Sequence, residues 1–245
     1  MQSGKIDISG PAIHAVHPWV PGNSEKSMRH QLLSDRERAQ LAKIATIVRF
    51  EKGQVIYNET DDASAVFNIV SGVVTVCRAQ EDTEHVLSFL YPGDLFGLLS
   101  EEGRYVNTTR AATAVVAYKM PLLAVRRILV SDADLDVDLI IKLCEGLREA
   151  QRHAVLLSKK RVATRLVLFL DLQQHLQAVS GEPTSEIDLP MDRSSIAAYL
   201  GVTLPALSRA FRMLISKKII ASQDRHHVKI LNRKAFNELA NQHIG

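Results

Sequence analysis

The segment GVTLPALSRAF, from Gly201 to Phe211, decides the fold of this 245-residue chain. Thr203 is suited to cap a helix, and proline is tolerated in the first helical turn, where the backbone N–H groups have no helical partner. Leu204-Pro205 therefore predicts the start of a helix rather than a kink. Gly201 lies just before it, where a tight turn makes a side chain costly. The segment predicts a turn that leads directly into a helix.

A second helix precedes this turn and gives the pattern of a helix-turn-helix. Asp192 is placed to cap the preceding helix, and Ala197, Gly201 and Leu207 have the spacing that the motif needs, because the small Ala197 lets the two helices cross closely. The buried stripe of the second helix is predicted to comprise Leu204, Leu207, Phe211, Leu214 and Ile215. The alternating segment IIASQDRHHVKILN (219–232) then predicts a β-hairpin, which makes the domain a winged one.

The remaining face of the second helix carries Ala206, Ser208, Arg209 and Arg212. Arginines on a helix surface are usually only solvated. Here the chain from Ser158 onward has 13 Lys and Arg against 7 Asp and Glu, whereas the preceding part has 17 against 20. A basic domain with a turn and a hairpin at these positions favours DNA contact. We expect Pro205, Ser208 and Arg209 to meet base edges. The residues expected to meet phosphates are Arg193, Thr203, Arg212, Lys217, Lys218 and Arg225.

The N-terminal half has the pattern of a small antiparallel β-roll. Runs of β-branched and aromatic residues are separated by Lys52-Gly53, Ser71-Gly72 and Pro92-Gly93-Asp94, and RAATAVVAYKM (110–120) reads as one further strand. A short helix is predicted over SDRERAQLAKIA (34–45), with Ser34 and Glu37 in the capping-box arrangement.

From Ala133 the apolar residues follow a helical period instead. The seam at alternating spacings of three and four comprises Ile140, Leu143, Leu147, Ala150, Ala154 and Leu157. One interpretation is that this helix packs on its own β-domain. The charged residues around the stripe leave it narrow, which favours a helix that pairs with a second copy, and Ala150 and Ala154 would allow close approach.

The whole arrangement resembles the CRP/FNR superfamily of bacterial transcription regulators. The resemblance runs from about Leu32 to Leu239. It rests on Lys52-Gly53, Ser71-Gly72, GDLFG (93–97), Leu-Ser-Lys-Lys (157–160) and SSIAAYLGVTLPALSRAF (194–211). It implies an α+β fold with a cyclic-nucleotide-binding-type β-roll, a long dimerisation helix and a C-terminal winged helix-turn-helix. The expected divisions are a loosely ordered arm (1–30), the roll (31–130), the dimerisation helix (131–158) and the winged domain (159–245).

The resemblance also shows where this chain departs from the family. Members that bind cyclic AMP have a Glu and an Arg-Ser pair at positions that hold Leu98, Tyr105 and Val106 here, with Arg104 one place off. A phosphate without its arginine loses a charge-assisted contact, so cyclic AMP is disfavoured. An alternative effector is expected near Leu98, Leu99, Arg104, Tyr105 and Arg110, and regulation by abundance alone, with no ligand, is left open. The usual reading motif, Glu-x-x-Ser-Arg, has Pro205 in place of its glutamate.

Metal cofactors are disfavoured as well. Cys77 and Cys144 are too few for the four-cysteine iron–sulfur cluster of oxygen-sensing members, and His14, His17 and His85 are more simply ordinary histidines. We therefore expect no cofactor and no metal site.

The predicted function is that of a homodimeric, sequence-specific DNA-binding regulator that reads a palindrome, with double-stranded DNA and RNA polymerase as partners. A ligand-binding module that acts through a protein partner is the first alternative, and a cupin-like metal enzyme is the second, although His85 alone does not supply its ligands. The absence of a long apolar run and of a signal peptide predicts a cytoplasmic protein with no membrane contact.

Overall fold

The structure is a computed structural model, and it describes residues 41–80, 83–97, 102–131, 133–177 and 185–241. The predicted arm (1–30), the capping box at Ser34, His14, His17, Leu98 and Leu99 lie outside the described residues. Residues 41–44 are helical, at the end of the segment predicted to form a short helix.

Among the described residues, eight strands build the β-roll as two four-stranded antiparallel sheets, with strand orders β1-β8-β3-β6 and β2-β7-β4-β5. The strands are β1 (Thr46–Phe50), β2 (Val55–Tyr57), β3 (Ala65–Ser71), β4 (Val74–Gln80), β5 (Thr83–Leu90), β6 (Leu95–Phe96), β7 (Thr108–Ala111) and β8 (Val115–Pro121). The roll predicted from the sequence is confirmed.

The prediction of one strand over residues 110–120 is wrong, because β7 and β8 belong to different sheets. The chain changes sheets beside the Gly72 turn, where the backbone N–H of Ala112 donates to the carbonyl of Val73 at 2.8 Å. Gly72 has φ +88, and a Cβ there would collide with the carbonyl oxygen of Ala114. A glycine at this turn therefore allows the crossing strand to pass close by.

Aromatic side chains fill the interior of the roll. The rings of Tyr57 and Tyr105 are stacked with centroids 3.7 Å apart, and Phe67 and Phe96 are stacked at 4.9 Å. The Tyr105 hydroxyl donates to the carbonyl of Ala65 at 2.9 Å. Burial raises the pKa of Tyr57 to about 12. These rings form a packed core within the roll.

In the described part of the chain, the roll is followed by the helices α1 (Leu122–Ser131) and α2 (Ala133–Ser158), and α3 (Val162–Gln177) then begins the C-terminal domain. The long helix predicted from Ala133 is confirmed as α2. Helix α1 was not anticipated, and all of it except Ser131 falls within the residues assigned to the roll.

The C-terminal domain is a winged helix-turn-helix. Its elements are β9 (Glu186–Asp188), α4 (Arg193–Tyr199), α5 (Leu204–Ser216), β10 (Ile220–Ser222), β11 (His227–Ile230) and α6 (Arg233–Asn241). The predicted hairpin is confirmed as β10–β11, which we call the wing, and β9 adds a third strand in the order β10-β11-β9. The α+β fold class is thereby confirmed.

The roll and the winged domain share one hydrophobic core. Val73, Val86 and Phe89 of the roll belong to the same buried cluster as the side chains of α3, α4 and α5. The Phe89 ring lies 6.2 Å from the Phe169 ring, and the Tyr91 hydroxyl donates to Oε1 of Gln173 at 2.8 Å. The helix-turn-helix is therefore seated on the roll of its own chain.

Candidate nucleic-acid interface

The turn before α5 has the predicted local geometry. Thr203 is the N-cap in an extended conformation, and its side chain accepts a hydrogen bond from the backbone N–H of Ala206 at 3.4 Å. Pro205 lies in the first turn of α5, and Gly201 has φ +61, a left-handed conformation that favours glycine. The predictions of the helix start and of the glycine turn are confirmed.

The predicted cap of the preceding helix is wrong in its chemistry. Asp192 occupies the N-cap position of α4 but makes no capping hydrogen bond with its side chain. Its carboxylate instead accepts from Nζ of Lys52 in the roll at 3.2 Å. A partner 140 positions away in the sequence has replaced the local one.

The buried stripe of α5 consists of Leu207, Ala210, Phe211 and Leu214. Leu204 and Ile215, which were predicted to belong to it, are 45% and 39% exposed. Leu204 is the first residue of the helix, and Ile215 lies about 100° further around it than Leu214. Ile215 consequently faces the wing instead of the core.

The proposed base readers lie together on the free face of α5. Pro205, Ser208 and Arg209 are all exposed. Their spacing of three and four residues places them on one side of a helix. Arg212 is exposed one turn further along. The face therefore offers a ligand the planar guanidinium of Arg209, the hydroxyl of Ser208 and the apolar ring of Pro205.

The proposed phosphate contacts flank this face. Those that are exposed are Thr203, Arg212, Lys217, Lys218 and Arg225. Arg193 differs from them, because its guanidinium is half-buried and stacks 3.7 Å from the centre of the Phe211 ring. Burial lowers the pKa of Arg193 to about 10, which leaves the group charged at neutral pH. Its buried Nη1 has no hydrogen-bond partner in the described part of the chain.

A cleft of about 260 Å³ separates α5 from the wing. Its lining consists of Arg193, Leu207, Ser208, Phe211, Ile215, Ser222, Asp224 and Arg225. Two guanidinium groups, two hydroxyls and the carboxylate of Asp224 border this groove beside the exposed face of α5, so its ionic lining has a net positive charge. This arrangement suits the passage of a polyanion between helix and wing.

The turn of the wing is organised by Asp224. Its carboxylate accepts hydrogen bonds from the backbone N–H groups of His226 and His227, at 2.6 and 2.8 Å, and lies 2.7 Å from Nδ1 of His227. These contacts lower the pKa of Asp224 to about 2 and raise the pKa of His227. The wing therefore has a fixed turn between its two strands.

The residues proposed for an effector have separate partners in the structure. Arg104 donates to the carbonyl of Thr60 at 3.3 Å, and Arg110 pairs with Glu84 at 3.4 Å. Tyr105 lies in the core of the roll and is only 5% exposed, instead of lining a pocket. Its burial follows from its stack on Tyr57. Over the ranges that the structure describes, no three His, Cys, Asp or Glu side chains cluster as metal ligands, and no helix could span a membrane.

Arg165 is a functional candidate that the sequence analysis missed. From α3 it donates to the carbonyl of Lys159 at 2.7 Å, to that of Leu200 at 2.8 Å and to that of Gly201 at 3.3 Å. It thus ties the turn of the helix-turn-helix to the junction before α3. A single arginine among the apolar residues of VATRLVLFL (162–170) is the signal that could have identified it.

Comparisons with known proteins agree with this geometry. Residues 47–132 match the cyclic nucleotide-binding domain family, and residues 160–239 match the Crp-like helix-turn-helix domain family. The nitrogen fixation regulation protein FixK of Azorhizobium caulinodans is 29% identical over 236 residues, covering 94% of each chain. The transcriptional activator protein FnrA of Stutzerimonas stutzeri is 26% identical over 192 residues, covering 78% of each.

A solved structure supports the same relationship. FixK2 from Bradyrhizobium japonicum superimposes with a TM-score of 0.72 at 27% identity, covering 80% of this chain and 97% of FixK2. The relatives are transcription regulators rather than enzymes. The two matched domains, in the order roll and then helix-turn-helix, together with these relatives, show that the chain belongs to the CRP/FNR superfamily of DNA-binding transcription regulators.

Proposed function

We propose that two copies of this chain pair through α2 and bind one DNA palindrome whose half-sites lie about one helical turn apart. The observation that carries this proposal is the exposure of the α2 seam. Ile140, Leu143 and Leu147 are 58%, 49% and 60% exposed in the single chain. Ala150, Ala154 and Leu157, further along the seam, are exposed as well. A row of apolar side chains at heptad spacing is stabilised by burial against a second helix.

Within each half-site, Arg209 is proposed to read a guanine. Its planar guanidinium matches the O6 and N7 acceptors of guanine in the major groove. Ser208 beside it bonds a base or a phosphate. Pro205 offers only apolar contact, such as with a thymine methyl group, and cannot accept the cytosine amino hydrogen that a glutamate would accept. The half-site should therefore differ from those of members that carry the glutamate.

Phosphate contacts are proposed for the residues around this face: Thr203, Arg212, Lys217, Lys218, Arg225 and Arg193. The first five are supported by their exposure beside α5 and in the wing. Arg193 is supported by its place in the lining of the cleft between α5 and the wing, together with Arg225. A phosphate group entering that cleft would meet guanidinium donors.

The cellular setting proposed for the chain is the cytoplasm, with RNA polymerase as a protein partner. The support is the relationship to proteins named as transcriptional activators, among them FnrA. An effector is proposed on the sequence alone, to be sought near Leu98, Leu99, Arg104, Tyr105 and Arg110. A module that acts only through a protein partner is disfavoured, because it would not need the exposed reading face of α5.

Selection of duplexes from a random pool tests the proposal. We expect the selected DNA to be a two-fold palindrome with a guanine in each half-site, and the protein to sediment as a dimer at micromolar concentration. A selected site without symmetry, or a monomer in sedimentation, would refute the proposed mode of binding.

A further inference from the structure

The turn of the helix-turn-helix is held by α2 of the same chain. The His153 ring is stacked on the Tyr199 ring, with centroids 4.0 Å apart and planes 7° from parallel. Nε2 of His153 lies 2.7 Å from the backbone carbonyl of Tyr199. Nε2 carries the proton and donates, because a carbonyl oxygen can only accept. Tyr199 is the last residue of α4, so these contacts fix the end of α4 on α2.

Further contacts hold the same turn. A Cβ on Gly201 would lie 3.2 Å from Cδ2 of Leu157, so the turn passes close to the last turn of α2. Tyr199 is 3% exposed, and its ring also meets Phe89 of the roll at 5.4 Å and Phe169 of α3 at 5.6 Å. The recognition helix α5 begins at Leu204, immediately after this turn. Close packing on all these neighbours opposes any shift of α5 relative to α2.

This attachment has a consequence on duplex DNA. In the proposed homodimer α2 lies beside the two-fold axis, so the distance and angle between the two recognition helices depend on how each is held on its own α2. One base pair added between the half-sites moves one of them by about 3.4 Å and turns it by about 34°. A rigid attachment would reject that change, whereas a loose one would tolerate it.

We propose that His153 and Tyr199 are positioning residues that set the half-site spacing which the protein accepts. This inference rests on the proposed homodimer. It concerns the distance and angle between the half-sites. The bases within each half-site are contacted by α5.

The test uses palindromic duplexes built from the selected site, with the centre shortened or lengthened by one base pair. Dissociation constants are measured with the full chain. We expect the wild type to lose at least about tenfold in affinity at either altered spacing, as for a mismatched base pair. His153→Ala should lose only about threefold or less in affinity at the altered spacings, because the stack and the hydrogen bond to Tyr199 are lost. Sedimentation should still show a dimer.

Two further variants separate positioning from simple loss of stability. His153→Gln keeps an N–H donor and should restore part of the spacing penalty. Val155→Ala changes a 57% exposed residue of the same helix and should match the wild type. Should His153→Ala not fold, His153→Phe keeps a ring on Tyr199 without the donor and must show an intermediate penalty.

The outcomes distinguish the inference from the proposed function. A His153→Ala protein that weakens all spacings equally, or that keeps the full wild-type penalty, would overturn the inference and leave the homodimer intact. A wild-type protein that is indifferent to spacing would also overturn the inference, because only a loosely held recognition helix tolerates the change. Failure of the homodimer itself would appear separately, as a monomer in sedimentation.

Discussion

At the scale of single residues, Arg209 carries the base preference in the proposed mode of binding. Arg209→Ala should lose the preference for one guanine in each half-site, worth about 1–3 kcal/mol of discrimination, and should keep binding to unrelated duplexes. Competition titrations with duplexes that differ at that base pair measure the effect.

Arg212→Ala is the matched control for this substitution. It should weaken all duplexes alike and lower the slope of affinity against salt by about one, as expected for a lost phosphate contact. An Arg209→Ala protein with unchanged base preference would show that α5 reads DNA through other side chains.

Single residues were predictable from the sequence where their partners are local. The Thr203 cap, Pro205 in the first turn and the left-handed Gly201 follow from rules that span a few positions. Asp192 was misassigned, because its carboxylate pairs with Lys52 from the other domain. No local pattern contains that contact.

At the scale of elements, the turn between α4 and α5 depends on a glycine with positive φ, Gly201. Gly201→Ala should destabilise the protein by about 1–2 kcal/mol, because a side chain is disfavoured at positive φ and the new Cβ would crowd Leu157. Urea or thermal unfolding measures the change. Gly146→Ala is the matched control: it lies within α2 with no atoms near its would-be Cβ, and alanine there should be neutral or stabilising.

The α2 seam gives a second prediction at this scale. Leu147→Glu should weaken dimerisation by at least about 100-fold, because two carboxylates would meet in a buried seam without partners. Arg148→Glu, an exposed change outside the seam on the next residue, should leave the dimer intact. Sedimentation across a concentration series measures both. If Leu147→Glu remained a dimer, the interface would have to lie elsewhere.

Elements were predictable where their periodicity is long, as in α2, or where β-branched runs are bounded by glycine turns. The three-residue strand β9 was missed, because EID has no pattern of its own and is defined by pairing with β11. Strands β7 and β8 were merged because the residues between them, Ala112 to Ala114, carry no turn signal. The crossing depends on the distant Gly72.

At the scale of the whole molecule, the roll is filled by its own side chains. We expect calorimetry with cyclic AMP to show no saturable heat at micromolar concentration, since the position of the family's phosphate-binding arginine holds a buried Tyr105 that is stacked on Tyr57. A titration that saturates with a micromolar dissociation constant would contradict this, and would direct attention to Arg104 and Arg110.

The relation between the two domains was beyond the reach of sequence patterns. Periodicity identifies Phe89 as a strand residue and Tyr199 as a helix residue, but not that their rings lie 5.4 Å apart. Contacts between domains depend on complementary shape over surfaces that are assembled from distant segments. The seam on α2, in contrast, was visible because its repeat lies within one helix.

The core shared between roll and winged domain limits the modularity of this regulator. Grafting residues 159–241 onto the sensor domain of another protein would remove Val73, Val86 and Phe89 from beneath α3 and α4 and uncover the apolar surface that they bury. Tyr91 would likewise no longer bond the buried Gln173. Functional chimeras of this protein therefore have to carry the hairpin β4–β5 along with the reading domain, so the unit that recombines is larger than the domain that reads DNA.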